Sequence, residues 1–184
     1  MAETSFHSRL ENVNPYETSD YAEVYGDCEV VQREILRFAS AEALADTTTV
    51  HYCLATKAGV QALKDNGVKG LLGLYGTAEA PRRSYQTSEA GMERIRRGET
   101  VTEDGVAYRG IDLILNSIGQ RELIPRLEPL MGREQINVMI HEQYFYADYP
   151  RYQPDFEEKL NEVFAYFKQH DYCSAFFSEW LGTD

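Results

Sequence analysis

The chain alternates short β-branched or apolar runs with longer segments of helical periodicity, and no other feature restricts its fold as much. "TSFHS" (4–8) reads as a short strand. "SDYAEVYGDCEVVQREILRFA" (19–39) follows as a helix, with Ser19 as the expected N-cap and Val24, Val31, Ile35 and Phe38 at helical spacing. "TTTVHYCLA" (47–55) is β-branched and apolar and is predicted as a strand. "KAGVQALKDNGV" (57–68) is predicted as a helix stopped by Asn66-Gly67. "KGLLGLYG" (69–76) is the next strand. A polar stretch runs from about 77 to 109, and "GETVTEDGVAYRG" (98–110) reads as a hairpin or loop around Asp104-Gly105.

Beyond it come a strand in "IDLILNSI" (111–118), a helix in "QRELIPRLEPLM" (120–131) interrupted by Pro125 and Pro129, and a strand in "INVMIHEQYF" (136–145). The helix in "QPDFEEKLNEVFAYFKQHDY" (153–172) sets Phe156, Leu160, Val163, Phe164 and Phe167 on one face, and a last strand is predicted in "CSAFFSEWL" (173–181). Strands alternating with helices imply an α/β fold with a mostly parallel sheet. About six βα steps fall short of the eight that close a regular barrel, so a distorted or incomplete (β/α) barrel is expected. No repeat or linker divides the sequence, and its 184 residues fit a single domain, 1–184.

Charge narrows the partners. The formal net charge is −12, which repels phosphate backbones and argues against nucleic acid. No apolar run approaches the roughly 20 residues that span a bilayer. "MAETSFHSRL" lacks the layout of a signal peptide, so a cytoplasmic protein without membrane partners is expected. The three cysteines, Cys28, Cys53 and Cys173, form no CxxC pair and suggest no disulfide framework.

Chemistry in a parallel α/β sheet gathers at the carboxyl ends of the strands. His7, His51 and His141 lie on predicted strands, Glu142 adjoins His141, and Asn116 ends another strand. Imidazoles with a carboxylate suit a divalent metal such as zinc, or metal-free acid–base work. Cys53 lies two residues after His51, which allows a Cys–His pair on one side of a strand or simply a buried thiol. The aromatic row Tyr144, Phe145, Tyr146, Tyr149 and Tyr152 has two readings, a lid on the core or a platform for sugar rings.

Taken in order, these segments resemble the polysaccharide deacetylase (NodB-like) superfamily. "SFHSRLE" (5–11) is similar to that family's H-[S/T]-x-x-H strand: His7 and Ser8 match its first half, and Glu11 stands at the second ligand position in place of His. "VMIHE" (138–142) is similar to the late strand whose histidine is the catalytic acid. "TTTVHYC" (47–53) falls where the family has its Arg-Pro strand, with His51 in place of that motif.

The resemblance implies a metal-dependent hydrolase acting on carbon–nitrogen or ester bonds of an acetylated sugar or oligosaccharide. His141 and Glu142 would be catalytic, with zinc held by His7, Glu11 and His51. The family's Asp-Asp pair lies several dozen residues upstream of its His motif, whereas "MAETS" alone precedes Phe6. A sheet without the opening strands is expected to expose an edge through which a second copy pairs. The same departure supports an alternative, a catalytically inactive carbohydrate-binding or scaffold domain.

Overall fold

The computed structural model describes residues 4–9, 15–77 and 82–181. Its contacts gather into two compact units, Met1–Gly110 with Phe176–Asp184, and Ile111–Ala175.

Unit 1 is a mixed α/β layer. Four strands, β1 (Thr47–Thr48), β2 (Gly70–Gly73), β3 (Val101–Glu103) and β4 (Val106–Gly110), form an open sheet in the order β1-β2-β4-β3. β1–β2 and β2–β4 are parallel, with Thr47 opposite Gly70 and Gly70 opposite Ala107. β3 joins β4 through an antiparallel hairpin. Asp104 and Gly105 both take positive φ there (51° and 76°), which is the two-residue turn that Asp-Gly predicts. Residues 4–7 run beside the β1 segment: Thr4 N bonds Ala43 O at 2.7 Å, and His51 N bonds His7 O at 3.1 Å.

Helix α1 (Tyr21–Phe38) buries Val24, Cys28 and Ile35 and lies on α2 (Lys57–Asp65). Its N-cap is Asp20, whose carboxylate accepts from Glu23 N at 2.9 Å; Ser19 instead donates to Pro15 O. Gly59 makes the helix contact close, since a Cβ there would stand 3.2 Å from Val24 Cγ2.

The structure departs from expectation at two places here. The run 47–55 is strand only at Thr47–Thr48, because Tyr52 and Cys53 turn left-handed (φ 55° and 59°). The stretch 77–109 contains a third helix, α3 (Glu89–Arg96), which follows a second left-handed pair, Tyr85 and Gln86 (φ 58° and 52°). The two segments repeat one device. A left-handed Tyr-led pair precedes an N-cap hydroxyl, Thr56 or Ser88, that accepts at 2.9 Å from the glycine of an Ala-Gly step, Gly59 or Gly91. The structure thus contains a repeat where the sequence suggested none; the two copies share few residues, and the spacing from Tyr to cap differs by one.

The last predicted strand is also absent. Phe177–Trp180 form a 3₁₀ turn, with Phe177 buried where Gly70 leaves room: a Cβ on Gly70 would come 2.8 Å from the Phe177 ring.

Unit 2 pairs two short parallel strands, β5 (Leu113–Ile114) and β6 (Val138–Met139), with helices α4 (Leu123–Leu127) and α5 (Phe156–Gln169). Pro125 and Pro129 break the predicted 120–131 helix into α4 flanked by 3₁₀ turns. Leu113, Leu115, Leu123, Leu127, Phe156 and Val163 form its core. Asp112 anchors the strand starts by accepting from Arg133 Nη1 at 2.6 Å and Asn137 N at 2.8 Å.

Gly73 closes β2 against Ser84, Tyr75 and Tyr85, where a Cβ would meet their atoms at 2.8, 3.0 and 3.0 Å. Gly73→Ala is expected to destabilise the fold by about 1–3 kcal/mol, the usual cost of overpacking, seen as an earlier urea midpoint. An unchanged midpoint would show that these neighbours yield freely.

Candidate functional site

Polar groups gather at the carboxyl ends of the parallel strands in both units, each built by local backbone geometry. In unit 1 the segment after β1 delivers His51, and the strand-like segment beside it delivers His7. His7 Nδ1 bonds the carbonyl of Thr49. A carbonyl only accepts, so Nδ1 carries the proton, and in the neutral ring Nε2 holds the lone pair. That Nε2 lies 3.2 Å from His51 Nδ1, with the rings 71° apart.

Two nitrogens bound to one tetrahedral zinc at about 2.0–2.1 Å would lie roughly 3.3 Å apart, so the spacing suits a shared ion as well as a shared proton. An imidazole whose other nitrogen is tied to a backbone carbonyl is also the usual arrangement behind a metal ligand. Glu11 lies outside the described residues. Among those described, no three His, Cys, Asp or Glu side chains are grouped to hold a metal ion. The pair therefore fits two positions of a metal site, without a third among these residues.

The left-handed turn sets His51's place. For side chains larger than glycine such a conformation costs about 1–2 kcal/mol per residue, so it must be held by its surroundings. Cys53 is buried beneath it, Cys53 N bonds Val50 O at 2.7 Å, and Arg82 Nη2 donates to Tyr52 O at 2.6 Å. The ring of Tyr52 stands edge-on to His51, with centroids 4.6 Å apart.

His51 and Cys53 thus belong to a turn, not to one face of a strand. Burial pushes the Cys53 thiol up to about 11, against a smaller lowering by Arg82. The thiol stays protonated near neutrality, which removes the nucleophile that a Cys–His reading requires.

In unit 2, β6 leads to His141 and β5 to Asn116. His141 Nδ1 and Asn116 Oδ1 lie 2.7 Å apart. Gln153 Nε2 donates to Asn116 O at 2.8 Å, and Lys159 Nζ donates to Gln153 Oε1 at 2.8 Å and Ile118 O at 3.1 Å. Lys159 is only 3% exposed, with Asp155 at 3.5 Å as its ion pair. Glu142 is exposed at the head of the 142–145 turn.

Tyr144 and Phe145 pack on buried Phe156, at 6.0 and 4.7 Å between centroids, while Tyr146 and Tyr152 are exposed. His7 and His51 meet in unit 1, and His141 meets Asn116 in unit 2.

Sequence reasoning missed Lys159 and Gln153. The signal was present, because Lys159 sits three residues after Phe156 and four before Val163, on the apolar stripe of α5. Compared with protein families, curated proteins and solved structures, the chain matches no family model, no curated protein and no solved structure.

Two measurements follow from this geometry. At a pH where the imidazoles are neutral, long-range ¹H–¹⁵N spectra are expected to place the proton of His7 and of His141 on Nδ1. The commoner Nε2–H form at either ring would contradict the bonding described for it.

The second concerns the thiols. Burial raises Cys28 to about 12 and Cys53 to about 11, whereas in the unfolded chain both titrate near about 8.5. The unfolded state therefore loses these protons first, and stability is expected to fall as pH rises from 8 to 10. The urea midpoint reads this fall, and Cys53→Ala should shrink it. Exposed Cys173 alone should react readily with a thiol reagent in the native chain.

Proposed function

We propose that the chain is a metal-dependent, deacetylase-like hydrolase that removes acetyl groups from a sugar or oligosaccharide, and that the open, mostly parallel sheet is part of a distorted or incomplete (β/α) barrel. The observation that carries this reading is the His7–His51 pair, with ring nitrogens at 3.2 Å and His7 oriented by the Thr49 carbonyl. His7 Nε2 and His51 Nδ1 would hold the ion, with Glu11 as the candidate third donor. A bound zinc supplies an activated water and polarises the acyl oxygen.

The chain's own residues do the rest. Within unit 2, His141 is tied at Nδ1 to Asn116 and is the candidate general acid of the deacetylase reading. The buried Lys159 and Gln153 fix Asn116, and through it the imidazole. Glu142, exposed beside His141, is the remaining candidate acid–base group. No helix of the described residues is long and apolar enough to cross a membrane, which agrees with a substrate met in water.

The test is metal uptake. The metal-stripped chain is expected to take up about one zinc, with His7→Ala and His51→Ala each lowering affinity by roughly 10-fold or more. Deacetylation of acetylated chito-oligosaccharides should then depend on that zinc and be lost in His141→Gln. Full zinc uptake by His7→Ala, or none by the parent chain, would falsify the assignment.

A further inference from the structure

Unit 1 holds a second polar site away from the His pair. A groove of about 410 Å³ runs between α2 and the β3–β4 hairpin. Tyr85, Val106 and Tyr108 line it as buried residues, and the side chains of Lys57, Gln86 and Asp104 reach it from exposed positions. Its size lies within the range of small-molecule sites.

The decisive group is Tyr108. The residue is 4% exposed and lines the groove, yet its hydroxyl has no hydrogen-bond partner among the described residues. Burial raises its pKa, with Glu103 and Asp104 adding to the effect, so it remains a neutral donor. The oxygen is not among the buried atoms that lack a partner, so it meets solvent at the groove, where an oxygen of a bound ligand can take the place of water.

Lys64 Nζ donates to Asp104 O at 2.6 Å and Glu103 accepts from Ser88 N at 2.9 Å, which leaves Lys57 and the Asp104 carboxylate as the loosely held groups. Lys57 Nζ stands 3.9 Å from Asp104 Oδ2, and both side chains are largely exposed, so this pair is weak. Lys57 N reaches Gln86 Oε1 only at 3.3 Å. The left-handed Tyr85–Gln86 pair fixes this wall, and backbone strain of that kind gathers at ligand clamps.

The mixture of groups selects the ligand. Glu103 and Asp104 beside Tyr108 disfavour an anion, and Lys57 and Lys64 disfavour a cation. A hydroxyl both donates and accepts. Adjacent hydroxyls on one ring would give a proton to Asp104 and accept from Lys57 and Tyr108, while the apolar ring face lies over Tyr85 and Val106.

We propose that this groove is a saccharide-binding site for a mono- or disaccharide, with Tyr108 and Lys57 donating and Asp104 accepting. The proposal extends the carbohydrate reading given above but stands on different residues from the His pair.

The test is a ¹H–¹⁵N NMR titration of the full chain with N-acetylglucosamine, cellobiose and N,N′-diacetylchitobiose, each up to about 20 mM, a range suited to weak sites. Saturable shifts are expected at the Lys57, Gln86 and Tyr108 amides, unchanged by EDTA and in His7→Ala. Tyr108→Phe removes a hydroxyl that no described residue uses, so the melting temperature should hold while affinity drops about three- to tenfold. Lys57→Met should weaken binding similarly.

Silence from all three sugars overturns the proposal, as does unaltered binding by Tyr108→Phe. Shifts abolished by EDTA would move the sugar to the His pair and also overturn it. Inorganic phosphate shifting these amides where sugars do not would make the groove an anion site instead. If zinc uptake fails while the sugar shifts persist, the metal reading falls and the groove stands.

Discussion

The hydroxyl of Tyr85 donates to Leu72 O at 2.8 Å from within the core, and much of unit 1 is arranged around that bond. Its ring lies where Gly73 leaves no room for a Cβ, and burial lifts its pKa well above the usual phenol range. Ser84, one residue earlier, both donates to Leu74 O and accepts from Leu74 N. Together they lock the segment after β2 to the strand itself. The left-handed backbone at Tyr85 and Gln86 is affordable only because these groups hold it on both sides. From that fixed turn follow the cap at Ser88, the start of α3 and one wall of the groove.

The legible parts of the fold were those whose stability is written in one period. α1 and α5 carry apolar stripes, and the predicted segments 19–39 and 153–172 contain them with one to three residues to spare at each end. The Asp104-Gly105 hairpin has a turn chemistry that few other sequences share. Where the structure departed from expectation, the reason was conformational. Tyr52 and Tyr85 sit in a backbone region that glycine or asparagine usually announces, and neither is present there. The strand read through 47–55 therefore stops after two residues. α3 escaped notice because half of its eight residues are charged and it buries only Gly91, Met92 and Ile95. "CSAFFSEWL" is apolar enough for a strand, yet Phe177 is used to fill the space over Gly70.

The candidate site was legible in kind and only partly in geometry. Placing polar residues at strand ends pointed to His7, His51, Asn116 and His141; His51, Asn116 and His141 follow short strands by two or three residues, whereas His7 lies on a segment bridged to its neighbour only at Thr4. What the sequence could not disclose was which pairs meet. That His7 faces His51 depends on residues 4–7 lying along β1, a contact between positions more than forty apart. The ammonium of Lys159 is tied to the loop carrying Asn116 by a fold-level accident of the same kind.

The repeated strand–turn–helix unit has a consequence for how such a chain changes over generations. Ser84 and His51 occupy the same place, each one residue before the left-handed tyrosine. In the second copy that place is spent on the backbone of Leu74, and the side chain is fully buried. In the first, the equivalent residue points toward a neighbouring segment and a partner imidazole. Variation at position 84 would remove two hydrogen bonds to the strand itself, whereas variation at 51 falls on the contacts with His7 and Tyr52.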